Sequence, residues 1–297
     1  MPPIIRIGTR GSALARRQAG IVTHQLAESG IETEIIVIRT HGDAETGVPL
    51  HQVGGQGIFV RALDDAILRG EIDCAVHSMK DIPAARPDGI ETAAILPRDP
   101  PNDYMAFEKP LDSVQSIGTS STRRRAQLLR YNPDLTILEL RGNIDTRIRK
   151  LKSGEYDAIM LAEAGLVRMR LHQNGIRLPA LHFVPAPNQG TIAIVCRDDT
   201  DLIEQLKPLD HPGTRMDTMI ERAVMEEVGG GCFTPQGIYC RDNNLIAEVL
   251  SLDGGRFERI EERVTTTEEA RQVGRELRIR SLDLITEAKQ ILELKDP

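Results

Sequence analysis

The chain opens on IIRIG (4–8), a short apolar run with strand character, and the stretch from Ser12 to about Glu28 then reads as a helix with Ser12 as a suitable N-cap. TEIIVIRT (33–40) is rich in β-branched residues and predicts a second strand. VGGQG (53–57) is a loop, FVRALDDAILRG (59–70) a helix stopped by Gly70, and DCAVH (73–77) a short buried strand. Strand and helix alternating in this way predict an α/β layer.

PRDPPND (97–103) interrupts the pattern, and its prolines suit a crossover to another domain. The alternation then restarts. SIGTS (116–120) ends a strand, STRRRAQLLRY (121–131) is a helix, LTILEL (135–140) a strand, NIDTRIRKLKSG (143–154) a helix and YDAIMLA (156–162) a strand. VPAPNQG (184–190) is a second break, after which GTIAIVCR (190–197) reads as a strand. Two breaks inside one α/β pattern predict two lobes joined by two crossings, with a cleft between them where strand C-termini and helix N-termini meet. The texture changes after DHPG (210–213). A helix over 214–228, strands at 235–241, 244–252 and 256–265, and one long amphipathic helix over 266–293 predict a small C-terminal α+β domain. The expected division is 1–96 with 190–209 as first lobe, 97–189 as second lobe, and 210–297 as C-terminal domain.

Composition narrows the function. A chain of 297 residues is too long for one ordinary core, and 40% hydrophobic with 27% charged residues is globular. Aromatics make up 3% and the net charge is −7, so a base-stacking or general nucleic-acid surface is disfavoured. No stretch reaches the roughly 18 apolar residues that span a bilayer, and MPPIIRIGTRGS lacks the pattern of a signal peptide. A cytoplasmic location is the expectation. Cys74, Cys196, Cys232 and Cys240 form no CxxC pair and the seven histidines show no ligand spacing, so free thiols and no metal site are expected.

Within this acidic chain, residues 118–170 hold nine Arg and two Lys against six acids. A local positive field of this kind points to a small acidic ligand, since guanidinium forks suit carboxylates. Gly118, Thr119, Ser120 and Ser121 meet a helix N-terminus, an anion-binding arrangement, and Arg123, Arg124 and Arg125 follow at once. An exposed basic helix face is the alternative. RGNIDTRIRK (141–150) repeats the theme with Arg141 at a strand end and Arg147 one helical turn in. AVHSMKDIP (75–83) runs a buried strand into Lys80 and Asp81, and Asp81 suits acid–base or cation-stabilising work unless it only caps a helix. In EEVGGGCFTPQG (226–237) Cys232 follows three glycines. The stretch is either a turn that happens to contain a thiol or a thiol presented to a reactant.

Taken together, GTRGSALARRQ (8–18), VGGQGIFVRALDDAIL (53–68), AVHSMKDIP (75–83), IGTSSTRRRAQL (117–128), LRGNIDTR (140–147), LAEAGLVRM (161–169), PAPNQGTIAI (185–194) and GGGCFTP (229–235) resemble the porphobilinogen deaminase family over nearly the whole chain. The resemblance implies two periplasmic-binding-protein-like α/β lobes with a central cleft and a small α+β C-terminal domain. It implies an enzyme that joins four porphobilinogen molecules head to tail with loss of ammonia and releases hydroxymethylbilane by hydrolysis. It further implies a dipyrromethane cofactor on Cys232 and Asp81 as the catalytic aspartate. Arg10, Ser12, Gln18, Phe59, Lys80, Ser121, Arg123, Arg124, Arg141, Arg147 and Arg168 are the implied substrate- and cofactor-binding residues. A monomer is expected, with neither nucleic acid nor membrane as partner. Gln52 and Gln56 depart from the lysines usual in the family's glycine loop, and Arg125 has no implied role. The rival reading is a two-lobed protein that binds a small acid without chemistry; it needs neither Cys232 nor Lys80–Asp81.

Overall fold

The computed structural model describes residues 4–38, 58–84 and 86–293, and of Ile58, Phe59, Cys232 and Glu293 the backbone alone. In chain order the first elements are β1 (Ile5–Thr9), α1 (Ala13–Glu28), β2 (Thr33–Val37), α2 (Ile58–Leu68), β3 (Cys74–Ser78) and β4 (Ile90–Ile95). Then come β5 (Asp103–Phe107), β6 (Ser116–Gly118), α3 (Thr122–Tyr131), β7 (Thr136–Leu138), α4 (Ile144–Lys152), β8 (Ala158–Ala162), α5 (Glu163–Met169) and β9 (Gly175–Arg177). The chain continues through β10 (Ile192–Arg197), α6 (Thr200–Leu206), α7 (Pro212–Val228), β11 (Gln236–Arg241), β12 (Asn244–Leu250), β13 (Phe257–Arg263), α8 (Thr267–Arg280) and α9 (Leu282–Glu293).

Two five-stranded sheets, ordered β2-β1-β3-β10-β4 and β7-β6-β8-β5-β9, share one plan. In the first, β1 pairs in parallel with β2 and β3, while β10 runs antiparallel to β3 and β4. In the second, β6 pairs in parallel with β7 and β8, while β5 runs antiparallel to β8 and β9. The antiparallel member of each sheet is the strand the chain enters directly after a crossing. Both faces of the first sheet are covered. Ile5, Ile7, Cys74, Val76, Ile192 and Ile194 pack beneath the Ala19–Val22–Leu26 stripe of α1, and Ala75, Ala193 and Val195 pack against Leu63, Ala66 and Ile67 of α2. The second sheet is likewise buried on two faces, around Met105, Ile117 and Met160 on one and Ile159, Leu161 and Leu151 on the other.

The chain forms two compact units, Met1–Asp99 with Gly190–Arg215 and Pro100–Gln189 with Met216–Pro297. The second unit contains the second sheet together with the three-stranded antiparallel sheet β11-β12-β13. Glu248 of β12, wholly buried, accepts from Gln127 Nε2 at 2.9 Å and Arg130 Nη1 at 3.0 Å of α3, and from Arg259 Nη1 at 3.1 Å. The turn after β12 also rests on α3, since a Cβ on Gly254 would stand 2.2 Å from the Ala126 carbonyl oxygen. Glycine is required there by contact as well as by its φ of +74°.

Several elements escape the hydrophobic pattern. The strand β5 hides in PPNDYMAF because its first residue, Asp103, is a carboxylate; it is wholly buried and held by arginines of α3. The strands β4 and β9 and the short helices α5 and α6 also go unread. The single helix expected over 266–293 is two. Its start carries a full capping box between Thr266 and Glu269. Ser281, wholly buried, interrupts it by turning its hydroxyl onto the Leu277 carbonyl at 2.6 Å in competition with the helical ladder.

Candidate functional site

In the first lobe Ser12 caps α1, its hydroxyl accepting from the Ala15 N–H at 3.3 Å, and Arg10 stands half-buried just before it. Gln18, on the inward face of α1, is buried and donates from Nε2 to the Ser78 hydroxyl at 2.7 Å. Ser78 is the last residue of β3 and the root of a 3-10 turn, Met79–Asp81. Met79 and Ile82 are buried and bracket the turn, Lys80 is half-buried and Asp81 is exposed. The core thus grips the turn on either side of Asp81 and leaves the carboxylate accessible. Arg10, Ser12, Gln18, Lys80 and Asp81 all follow the C-terminal ends of the adjacent parallel strands β1 and β3 or line the helix between them. His77, on β3, is held neutral, its pKa pushed down to about 3 by burial first and by Arg86 and Arg10 after it.

In the second lobe the same logic places the basic groups. Ser121 caps α3, accepting from the Arg124 N–H at 3.4 Å. The Ser120 hydroxyl donates to the Leu140 carbonyl at 2.7 Å and accepts from the Leu140 N–H at 3.2 Å, which ties the start of α3 to the chain just before Arg141. Gly142 has a φ of +111°, and Arg147, one turn into α4, donates from Nε to its carbonyl at 2.7 Å. Burial first, and then the neighbouring Arg124, push the Arg147 guanidinium down to about 10. Ser121, Arg124, Arg141 and Arg147 are therefore gathered at the N-terminal ends of α3 and α4. Arg168, also buried, is supplied by α5 beyond the end of β8.

Arg123 departs from its expected place. Only 5% exposed, it donates through Nη1 to Asp103 at 2.7 Å, to Gln127 Oε1 at 2.9 Å and to the Val184 carbonyl at 2.9 Å. Arg124 also turns inward, giving Nε and Nη2 to Asp103 at 3.1 and 2.8 Å and Nη1 to the Met160 carbonyl at 3.2 Å. Helical spacing puts both side chains on the buried side of α3, where Asp103 is the counter-charge. Despite complete burial, the two guanidinium groups hold the Asp103 carboxyl well below the usual carboxylate range. The Asp103→Ala chain is expected to lose about 3–5 kcal/mol of stability because two buried cations lose their counter-charge. A denaturant titration measures this, and a loss under about 1 kcal/mol would show that the cluster relaxes to water.

The Cys232 stretch is a left-handed turn. Gly229, Gly230 and Gly231 all have positive φ, +68°, +78° and +56°, at the end of α7, and a short 3-10 turn Gly231–Phe233 follows. Three successive left-handed residues disfavour side chains at each position. A Cβ on Gly230 would also collide with the Thr234 hydroxyl at 1.8 Å, whereas nothing among the described residues lies within 4 Å of one on Gly231. The backbone beside Cys232 is thus fixed by glycine conformation and open on one side. The side chains of Cys232 and Phe59 lie outside what the structure describes, as do residues Gln52 and Gln56.

Residues 5–205 match the family model "Porphobilinogen deaminase, dipyromethane cofactor binding domain", and residues 216–283 match "Porphobilinogen deaminase, C-terminal domain". The chain belongs to the porphobilinogen deaminase family. A probable porphobilinogen deaminase of Methanosarcina acetivorans is 50% identical over 288 residues, 91% of this chain and 90% of the relative. One from Methanococcoides burtonii is 48% identical over 285 residues, 91% and 92% of the two chains. The porphobilinogen deaminase of Syntrophobacter fumaroxidans is 41% identical over 304 residues, 98% and 97% of the two chains. Among solved structures, the methionine binding protein MetQ aligns with 74% of this chain and 93% of its own at 12% identity, with a TM-score of 0.44.

As a porphobilinogen deaminase family member the chain is a transferase of tetrapyrrole biosynthesis with a dipyrromethane cofactor. The residues present fit such a group. Dipyrromethane is rich in carboxylates, and Arg147 is a half-buried cation at the start of α4 that donates from Nε to a backbone carbonyl and, among the described residues, has no carboxylate as a hydrogen-bond partner. No group of His, Cys, Asp and Glu among the described residues could hold a metal ion, and no described helix is long and apolar enough to cross a membrane. Two structural supports have no signal in the sequence pattern: Asp103 behind the arginines, and Asp64 of α2, which pairs with Arg86.

Proposed function

We propose that Asp81 is the catalytic carboxylate, that Cys232 carries the dipyrromethane, and that cations of both lobes hold the acetate and propionate groups. The observation that carries this reading is the gathering of Ser121, Arg141 and Arg147 at the N-terminal ends of α3 and α4, a cationic cluster that suits carboxylates. When bound, the dipyrromethane supplies the pyrrole end to which porphobilinogen is joined. Arg141, Arg147, Arg168 and Ser121 bind carboxylates in the second lobe, and Arg10, Ser12 and Lys80 do so in the first. Arg123 and Arg124 act from behind, fixed on Asp103 so that the start of α3 keeps its position and charge. Loss of ammonia from the substrate's aminomethyl group leaves a cation, and the Asp81 carboxylate, accepting from the pyrrole N–H, stabilises that charge. The new carbon–carbon bond forms at the methylene carbon that lost ammonia, and the Asp81 carboxylate takes the proton that the attacking pyrrole α-carbon then gives up as its ring regains aromaticity.

Residues 1–96 with 190–209 form the first lobe in this reading, 97–189 the second and 210–297 the cofactor-bearing domain. The enzyme acts as a monomer in the cytoplasm, without nucleic acid. Simple binding of a small acid is not favoured, because it needs no cofactor domain.

The Arg147→Leu enzyme is expected to keep its fold, because Arg147 is half-buried and the bond it gives to the Gly142 carbonyl is exposed, and to lose turnover. Each lost charge-assisted bond to a carboxylate costs about 1.5–3 kcal/mol, or roughly ten- to a hundredfold. Steady-state rates and the masses of enzyme-bound intermediates check it. Unchanged rates with an unchanged intermediate distribution would remove Arg147 from the binding set.

A further inference from the structure

We propose that the buried pair Asp64–Arg86 is a positioning device for the Lys80–Asp81 turn, holding Asp81 in register through α2. The proposal rests on the reading of Asp81 as the catalytic carboxylate. Residues 79–86 are fastened to α2 at both ends of a short arc. At the near end Met79 and Ile82 are buried in the same cluster as Leu63, Ala66 and Ile67 of α2, and the Ile82 N–H donates to the Met79 carbonyl at 3.1 Å to close the turn. The Met79 N–H donates to the Thr191 carbonyl at 2.9 Å, which ties the turn to the sheet. At the far end Arg86 reaches back and donates from Nη2 to Oδ1 of Asp64, a residue that is 2% exposed on α2. Asp81 lies between these anchors and is exposed.

The pair is poorly built for stability. Among the described residues one hydrogen bond joins the two side chains, and Arg86 Nε and Nη1 are buried with no partner there. Burial pushes the Asp64 carboxyl up in spite of Arg86, and pushes the Arg86 guanidinium down in spite of Asp64. A buried pair this incompletely satisfied is commonly replaced by apolar groups at no loss of stability. Its contribution is direction. Apolar contacts at Met79 and Ile82 permit small slides along α2, whereas a charged hydrogen bond fixes where the arc ends and so where Asp81 stands. A displacement of about 1 Å at a reacting group is enough to cost up to a hundredfold in rate.

The experiment uses full-length, cofactor-loaded enzyme and removes both partners at once with Asp64→Leu/Arg86→Met, a replacement that keeps volume and leaves no orphaned charge. Thermal unfolding, intact mass, and kcat and KM for porphobilinogen are measured for this variant, for Arg86→Lys, and for both in an Asp81→Asn background. The expected result is a thermal midpoint and adduct mass like wild type, KM within about twofold and kcat lower by about tenfold, with Arg86→Lys retaining most of the rate. In the Asp81→Asn background the double replacement should cost nothing further, because the pair acts through that carboxylate. Unchanged kcat, or an equal loss when Asp81 is already Asn, overturns the proposal alone. If Asp81→Asn itself turns over normally, the reading of Asp81 fails and this proposal with it. If the double replacement does not fold, Asp64→Asn, which keeps the shape of the side chain but removes the charge that Arg86 bonds, takes its place against wild type and in the Asp81→Asn background, with the same loss of kcat expected in the first and none in the second.

Discussion

Cys232→Ser is expected to yield a folded chain whose mass is that of the bare polypeptide and whose turnover is zero. A thioether needs a sulfur nucleophile, and a serine hydroxyl at this position cannot supply one. The fold should survive, since the turn is set by the positive φ of Gly229, Gly230 and Gly231 and not by the side chain that follows. The other thiols cannot take over. Cys74, Cys196 and Cys240 are all wholly buried, burial pushes the Cys74 thiol far up, and burial together with nearby carboxylates pushes Cys196 up to about 11. Cys74 and Cys196 are therefore held as neutral thiols, and none of the three is reachable. Intact mass spectrometry of wild type and variant settles the matter: a variant that keeps the adduct would place the cofactor on another residue. Cys240→Ser, by contrast, should keep the adduct while losing some stability, because Cys240 packs in the C-terminal core.

Asp81→Asn should reduce turnover by about two to three decades while leaving substrate binding much less affected. The substitution keeps the size of the side chain and one accepting oxygen but removes the charge. If that charge faces a pyrrolic cation at about 4 Å under an effective dielectric near 20, it is worth roughly 4 kcal/mol. Part of that sum is specific to the transition state, which gives the two to three decades. Asp81→Glu keeps the charge and displaces it by a methylene, so the expected ranking is wild type, then Glu, then Asn. Stability should be unchanged, because Asp81 is exposed and its anchors are Met79 and Ile82. Single-turnover rates on adduct-loaded enzyme test the ranking directly. Equal rates for Asn and wild type would make Asp81 a structural cap and move the chemistry to another group.

The chain read by itself determined most of the architecture. Strands whose apolar residues dominate, such as β1, β3, β8 and β10, were legible from composition, as were the helices α1, α3 and α4 from their boundaries. The breaks at 97–103 and 184–190 were legible from proline, and the compact units change at Asp99/Pro100 and Gln189/Gly190 inside them. A turn at 229–231 was legible from three glycines in succession, and the structure added that all three are left-handed. Family membership was legible because its motifs lie in order along the chain. Charge at Arg123–Arg125 was visible too, but not its direction. Only the tertiary structure decided that Arg123 and Arg124 turn inward on Asp103, since a carboxylate in a proline-rich stretch gives no sign that it starts a buried strand. Only the tertiary structure brought Asp64 to Arg86, 22 residues apart, and Gln127 to Glu248, 121 apart. Local sequence fixes backbone conformation and which face of an element is apolar. Which charge neutralises which is set by distances across folded layers, where the cost of burial makes the partner obligatory and no periodicity announces it.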